Sequence, residues 1–421
     1  MFVQSFARSI ALAGLLGLSA GFAQAADTTI NVLYANDRTT AEAHEEIKSR
    51  FEAENPGIKI NFLAPADSYE TATQNVLRGA LIGDLPDVLF QGQNLIRSLV
   101  DRNLAVPLNG FIEADGGADK LGYDAGMLRI GTLKNSYYAI PFAVSTPIIC
   151  VNVDLLKAAG VDPDKFPTNW DDMVALGKKL NDPAKNVTGF YFQWDITGNW
   201  MYQSLDFADG GQMLSADEKT AMLDSPAGVK TLQTLESFAK AGMPNLPSAQ
   251  ARPAFAAGKI AIFADSSSNL GKATAAIGKS FTFRTYPFPL PSADGRLPAG
   301  GNAAMMLTKD AEKQKAVWKY IKFATGPIGQ TIMARHTGYF PSNSIAINTP
   351  DLLGDFYKSQ PNYQTSLKQI PSLTGWYAFP GSNGLKIIDV IKNHLEAVVT
   401  GKKTAAETAP AMNHDVQALL Q

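Results

Sequence analysis

The chain is poor in the residues that announce most chemistries. It has one cysteine and four histidines, and past its first 25 residues no apolar run approaches the ~20 residues of a membrane-spanning helix. A single thiol, Cys150, excludes an internal disulfide, and its apolar setting in Pro147-Ile148-Ile149-Cys150-Val151 reads as a buried structural position. His44, His336, His394 and His414 are scattered, with no His-Glu-x-x-His and no cysteine pair, so no motif calls for a metal. There is no Gly-Lys-Ser/Thr phosphate loop, no G-x-G-x-x-G after a strand and no G-x-S-x-G elbow. No cofactor is expected. Excess positive charge is missing too: 37 basic against 39 acidic residues, net −2, offer no footprint for nucleic acid or an anionic membrane. Paired glycosidase carboxylates are neighbours in space rather than in sequence, so the missing motifs leave that chemistry open. Asp195, Asp206 and Asp209 are the acids nearest the aromatic cluster.

What is present begins at the first residue. Met1 to Ala25 carries one basic residue, Arg8, then an apolar run from Ile10 to Ala20 and the small-residue triplet Ala23-Gln24-Ala25. This is the pattern of a cleavable secretory leader. No cysteine stands at the cleavage point to take a lipid, so a free periplasmic protein is expected. Hydrophobic residues at 45% and charged residues at 18% are ordinary for a globular protein, and 421 residues suggest about two domains.

After the leader, Ile30, Val32 and Tyr34 alternate as a strand. Ala43, Ile47 and Phe51 form one stripe of a helix that Asn55-Pro56-Gly57 stops. Ile58, Ile60 and Phe62 alternate again. Strand, helix and strand in close succession imply a parallel crossover and an α/β layer. Further strands are predicted near Val88–Phe90, Tyr137–Phe142, Ile148–Val153, Lys259–Phe263 and Phe281–Pro287. Helices are predicted over Trp170–Leu180, over Ala311–His336 with a break at Gly326-Pro327, over Leu385–Val399 and from Ala405. The region from Pro163 to Phe255 reads as mainly helical. No linker separates two beads, which fits two α/β domains joined by strands that pass between them.

Uncharged polar and aromatic residues collect where these elements end: Tyr69, Gln93, Ser145, Ser266, Ser267, Gly301, Tyr339 and Trp376. Ligands of open α/β sheets bind beyond the strand ends, and polyhydroxylated ligands need uncharged hydrogen-bonding groups beside apolar faces. Each position has a plainer reading. Tyr339 and Trp376 fit core aromatics equally well, Ser266-Ser267-Ser268 fits a helix N-cap, and Trp194 and Trp200 fit the packing of the helical region.

Several segments, in order, carry a resemblance: FEAENPGIKINF, DLPDVLF, YAIPFAVSTPIICVNVDLLKAAGVDP followed by NWDDM, FAAGKIAIF with DSSSNL, the GGN turn, HTGYFP and VVTGKKTAAE. Together they resemble the family 1 extracellular solute-binding proteins of bacterial ABC importers, in the sugar- and sn-glycerol-3-phosphate-binding branch. The resemblance implies a periplasmic-binding-protein fold: two α/β lobes joined by a hinge, closing on one small-molecule ligand for delivery to the transmembrane subunits of an ABC permease. It implies no catalysis, a monomer, and membrane contact only through the permease. Laid on the chain, it gives a leader over 1–25, a first part of lobe 1 over 26–150, mainly lobe 2 over 151–300, and a hinge-crossing helical region over 301–421 contributing to both. The branch's ligand contacts fall on Tyr69, Ser145, Ser266 or Ser267, Gly300 or Gly301, and Tyr339. Two positions depart. Gln93 stands where the branch has a glutamate, and Ile388, with Lys386 nearby, stands where it has an arginine for phosphate. An isoleucine cannot replace a guanidinium fork, so a neutral sugar, oligosaccharide or polyol is favoured over glycerol 3-phosphate or a glycerophosphodiester. An exported carbohydrate-active enzyme is the alternative of another class.

Overall fold

The computed structural model describes residues 27–420, so the leader expected over 1–25 lies outside the described residues. The alternation at Ile30 and Val32 becomes strand β1 (Thr28–Leu33), with both side chains fully buried. The helix Asp37–Glu54 follows, and Ala43, Ile47 and Phe51 have no exposed surface. It ends at Asn55, and Gly57, at φ 92°, turns the chain into β2 (Ile58–Phe62), parallel to β1 with Ile30 opposite Ile60. The other main strands are β3 (Val88–Gly92), β4 (Ile140–Ser145), β5 (Pro147–Asn152), β6 (Thr188–Phe192), β7 (Ile260–Ser266), β8 (Phe283–Pro287) and β9 (Gly300–Met306).

These strands make two sheets. The first has the order β2-β1-β3-β9-β4, with β9 antiparallel to both neighbours. The second has the order β8-β5-β7-β6, with β6 parallel to β7 and the other pairs antiparallel. Each sheet anchors a lobe, and one apolar cluster runs between them, with Leu33, Tyr69 and Leu89 of the first lobe joined to the core of the second. The first lobe buries Val32, Phe51, Phe90, Phe142 and Tyr320; the second buries Phe192, Phe238, Phe263 and Phe288.

The chain passes from one sheet to the other through one residue, Thr146. The sequence reading put this change at 150/151. Pro147 to Val151 instead pairs with Ser266 to Ile262 of β7, which brings Cys150 inside the second sheet. Burial pushes its thiol pKa well above the ordinary range. The chain returns to the first sheet at Gly300 in β9, and the helices Ala311–Thr325 and Pro327–His336 pack on the first lobe. Beyond them, the helix Pro361–Gln369 lies against β8, and Gly384–Val399 and Ala405–Gln417 pack on Pro226–Lys240 of the second lobe.

One strand escaped the sequence pattern. β6 sits inside the stretch read as mainly helical, because Gly189 interrupts it and Phe190-Tyr191-Phe192 shows no alternation. The glycine lets the helix Trp170–Leu180 approach closely: a Cβ at 189 would lie 1.8 Å from the Gly177 carbonyl oxygen. Gly189→Ala is therefore expected to lower the denaturant midpoint by about 1–3 kcal/mol of stability, the usual range for overpacking. An unchanged midpoint would show that this spacing is not tight.

Candidate functional site

A cavity of about 450 Å³ lies between the lobes. Its floor is the crossing region, where Ser145, the last residue of β4, stands opposite Gly300 at the start of β9. Gly301 follows at φ 105°, and a Cβ there would come within 2.0 Å of the Ala143 carbonyl oxygen. Only glycine fits both the backbone angle and the close approach.

Aromatic side chains form the walls. Tyr69 opens the helix Tyr69–Ala80, whose first turn Ser68 caps by accepting the Thr71 N–H at 3.1 Å. The Tyr69 hydroxyl accepts from Asn302 Nδ2 at 3.1 Å, and its ring meets Trp376 edge to face with centroids 6.4 Å apart. Trp376 is 6.3 Å from Trp200. The indole N–H of Trp200 donates to the Pro298 carbonyl at 3.0 Å and that of Trp376 to the Gly198 carbonyl at 3.3 Å. With both N–H groups committed to backbone, these residues offer the cavity ring surface. Tyr339 completes the set.

Charge is unevenly distributed. Asp67, Glu70, Asp195 and Asp389 line the cavity against two basic residues, Arg252 and Lys392. Arg252 is itself engaged: its Nε and Nη2 each donate to Asp265 at 3.0 Å. One Glu70 oxygen accepts from the Thr197 hydroxyl across the lobes, while the other, Oε1, is buried with no protein partner. Two further contacts join the lobes, Lys272 to Glu42 at 2.9 Å and Arg97 to Glu218 at 2.6 Å.

Of the eight residues singled out from sequence, six line this one cavity: Tyr69, Ser145, Ser266, Gly301, Tyr339 and Trp376. Ser266 also caps, its Oγ accepting the Ser268 N–H at 3.2 Å. Gln93 and Ser267 do not line the cavity. Gln93 lies behind the floor, donating from Nε2 to the Gly300 carbonyl at 3.2 Å. Ser267 is fully buried and braces the crossing: its Oγ accepts the Thr146 N–H at 3.2 Å, and its own N–H donates to Thr146 O at 3.0 Å. Ile388 does reach the cavity wall. The reading missed Glu70, Arg252 and Lys392, which sit on helices whose inward face is set only by the apposition of the lobes. Among the described residues, no group of three His, Cys, Asp or Glu side chains is placed to hold a metal.

Residues 36–331, well over half of the chain, match the family model described as bacterial extracellular solute-binding protein. The chain belongs to that family. As a solute-binding protein it is similar to the sn-glycerol-3-phosphate-binding periplasmic protein UgpB of Escherichia coli K12, 24% identical over 415 residues and 92% of each chain. Its fold matches the crystal structure of UgpB from Mycobacterium tuberculosis in complex with glycerophosphocholine, with a TM-score of 0.82 at 21% identity over 94% of this chain and 98% of that one. It also matches a solute-binding protein of Agrobacterium radiobacter K84 in complex with ribitol, with a TM-score of 0.78 at 19% identity over 94% and 99%. These likenesses show the two-lobed α/β fold expected from the sequence.

The three acids noted beside the aromatic cluster separate in this solute-binding protein. Asp195 lines the cavity, accepts from Gln193 and from the Ser248 N–H, and has its pKa raised mainly by burial. Asp209 pairs with Lys230, away from the cavity. Asp206 is fully buried beside Tyr202, both carboxyl oxygens lack a partner, and burial, with a smaller push from Asp209, moves its pKa up to about 7. A carboxyl group raised in the folded state favours its protonated form there, so stability is present at acid pH and lost as pH rises from about 4 to about 7. Asp206→Asn is expected to flatten that slope, gaining up to about 4 kcal/mol at pH 8 relative to its effect at pH 4. Parallel melting curves for the two proteins across that window would contradict the assignment.

Proposed function

We propose that this protein is the periplasmic substrate-binding component of an ABC importer, reversibly binding a neutral carbohydrate-type solute for delivery to a membrane permease. The observation that carries the reading is the make-up of the inter-lobe cavity: four aromatic rings beside four carboxylates, against Lys392 and one guanidinium, Arg252, whose charge Asp265 neutralises. Aromatic faces take the C–H side of a sugar or polyol, and carboxylates accept its hydroxyl protons. An anionic ligand would meet like charge. Ile388 in the wall offers no compensating fork, and this sets the solute apart from glycerol 3-phosphate and glycerophosphodiesters.

In this proposal Tyr69, Ser145, Gly301, Trp376, Ser266 and Tyr339 touch the ligand, while Gln93 and Ser267 hold the floor behind them. Glu70 Oε1, buried without a protein partner, becomes an acceptor for a ligand hydroxyl when the lobes part to admit the solute. Contacts to both lobes favour the closed state, which the transmembrane subunits recognise, and the protein works as a monomer. Export through the leader at Met1–Ala25 places it in the periplasm. No residue has a catalytic role, so bound solute leaves unchanged.

A thermal-shift screen of the exported protein against sugars, polyols and glycerol phosphates tests this. A neutral ligand should raise the melting temperature, be recovered intact, and bind with little dependence on salt. Trp376→Ala should weaken it at least about tenfold, roughly 1.4 kcal/mol. Turnover of the ligand, or affinity that requires a phosphate and falls steeply with salt, would overturn the reading.

A further inference from the structure

The cavity does not end at Arg252. A second space of about 610 Å³ shares Asn36, Thr39, Asp67, Ser248 and Arg252 with it, so the two form one continuous cleft with Arg252 at the waist. Both lobes line the outer part, Asp37 and Arg38 from the first and residues of the helices Ser248–Ala256 and Leu270–Ile277 from the second. Its chemistry differs from that of the inner part. Tyr69, Trp200, Tyr339 and Trp376 surround the inner space, whereas no aromatic residue lines the outer one. Four alanines, at 249, 256, 273 and 276, leave it roomy.

The outer charges nearly cancel. Arg252 is bonded to Asp265 and Lys272 to Glu42, leaving Arg38 against Asp37 and Asp67. Arg252 Nη1 makes no hydrogen bond among the described residues, so a rigidly held donor stands at the junction. Together the two spaces slightly exceed the ~300–1,000 Å³ typical of small-molecule sites.

Resting on the carbohydrate reading above, we infer that the solute is a neutral oligosaccharide of at least two units. One unit lies against the inner aromatic walls, and the next passes Arg252 into the outer groove. A single sugar or polyol fills only the inner space. A charged headgroup finds no net counter-charge outside, whereas hydroxyl groups find both donors and acceptors there.

The test compares three forms of the full exported protein: wild type, Ala249→Trp and Ala276→Trp. Calorimetric titration is run with neutral oligosaccharides of one to five units in several linkages, with ribitol, and with glycerophosphocholine. Both alanines are exposed, so the variants should melt like wild type without ligand, and if one does not fold the other decides. The expected result is a preferred ligand of two or more units whose affinity falls about tenfold or more in the tryptophan variants, while its single-unit form binds all proteins alike. A preferred ligand of one unit, a preference for ribitol or glycerophosphocholine, or an oligosaccharide indifferent to both tryptophans would overturn the inference. Failure of every compound to bind folded wild type would instead overturn the carbohydrate reading, and this inference with it.

Discussion

The bonding of Thr146 is the constraint on which the molecule depends. This residue alone separates the last strand residue of one sheet, Ser145, from the first of the other, Pro147. Its N–H and carbonyl are both taken by Ser267, and Gln369 donates to its hydroxyl at 3.0 Å and to the Pro147 carbonyl at 2.9 Å. A crossing so short would expose unpaired backbone if left unbraced, and buried backbone groups are costly to leave unmade. The side chains that brace it therefore do structural work, and the groups one position away, Ser145 and Ser266, are released toward the cavity.

That arrangement explains why the floor of the site is built from small residues. Gly300 and Gly301 let β9 run close to β4 and to Trp200, and the walls can then be large rings. The polar groups reach the cavity from helix starts and loops: Tyr69 and Glu70 from one lobe, Thr197 and Asp195 from the other. Each sheet fixes one half, and the chemistry is shared between the two halves.

Much of this was legible in the sequence, and the physical reasons for the rest are specific. Long periodic stretches such as Trp170–Leu180 and Ala311–His336 carry their own boundary signals, and the structure reproduces them, including the break at Gly326. β6 was hidden because a strand buried among helices keeps no alternation, and its glycine looks like a loop. Of the six candidate residues that share the cavity, Tyr69 begins a helix, Ser145 and Ser266 end strands and Gly301 lies at the start of one, where open sheets present their ligands, while Tyr339 and Trp376 come from loops. Gln93 and Ser267 look identical to such residues in sequence, and only their hydrogen bonds to Gly300 and Thr146 reveal that they face the other way. Arg252 gave no signal at all, since its meaning comes from Asp265, thirteen residues on and across a helix-to-strand turn.

The contacts from Glu70 to Thr197, Glu42 to Lys272 and Arg97 to Glu218 join the lobes directly. The two ion pairs contribute only a few tenths of a kcal/mol to about 1 each, and they act in the same direction as the Glu70–Thr197 hydrogen bond. Each favours the closed arrangement of the lobes, so less of a solute's binding free energy goes into moving them.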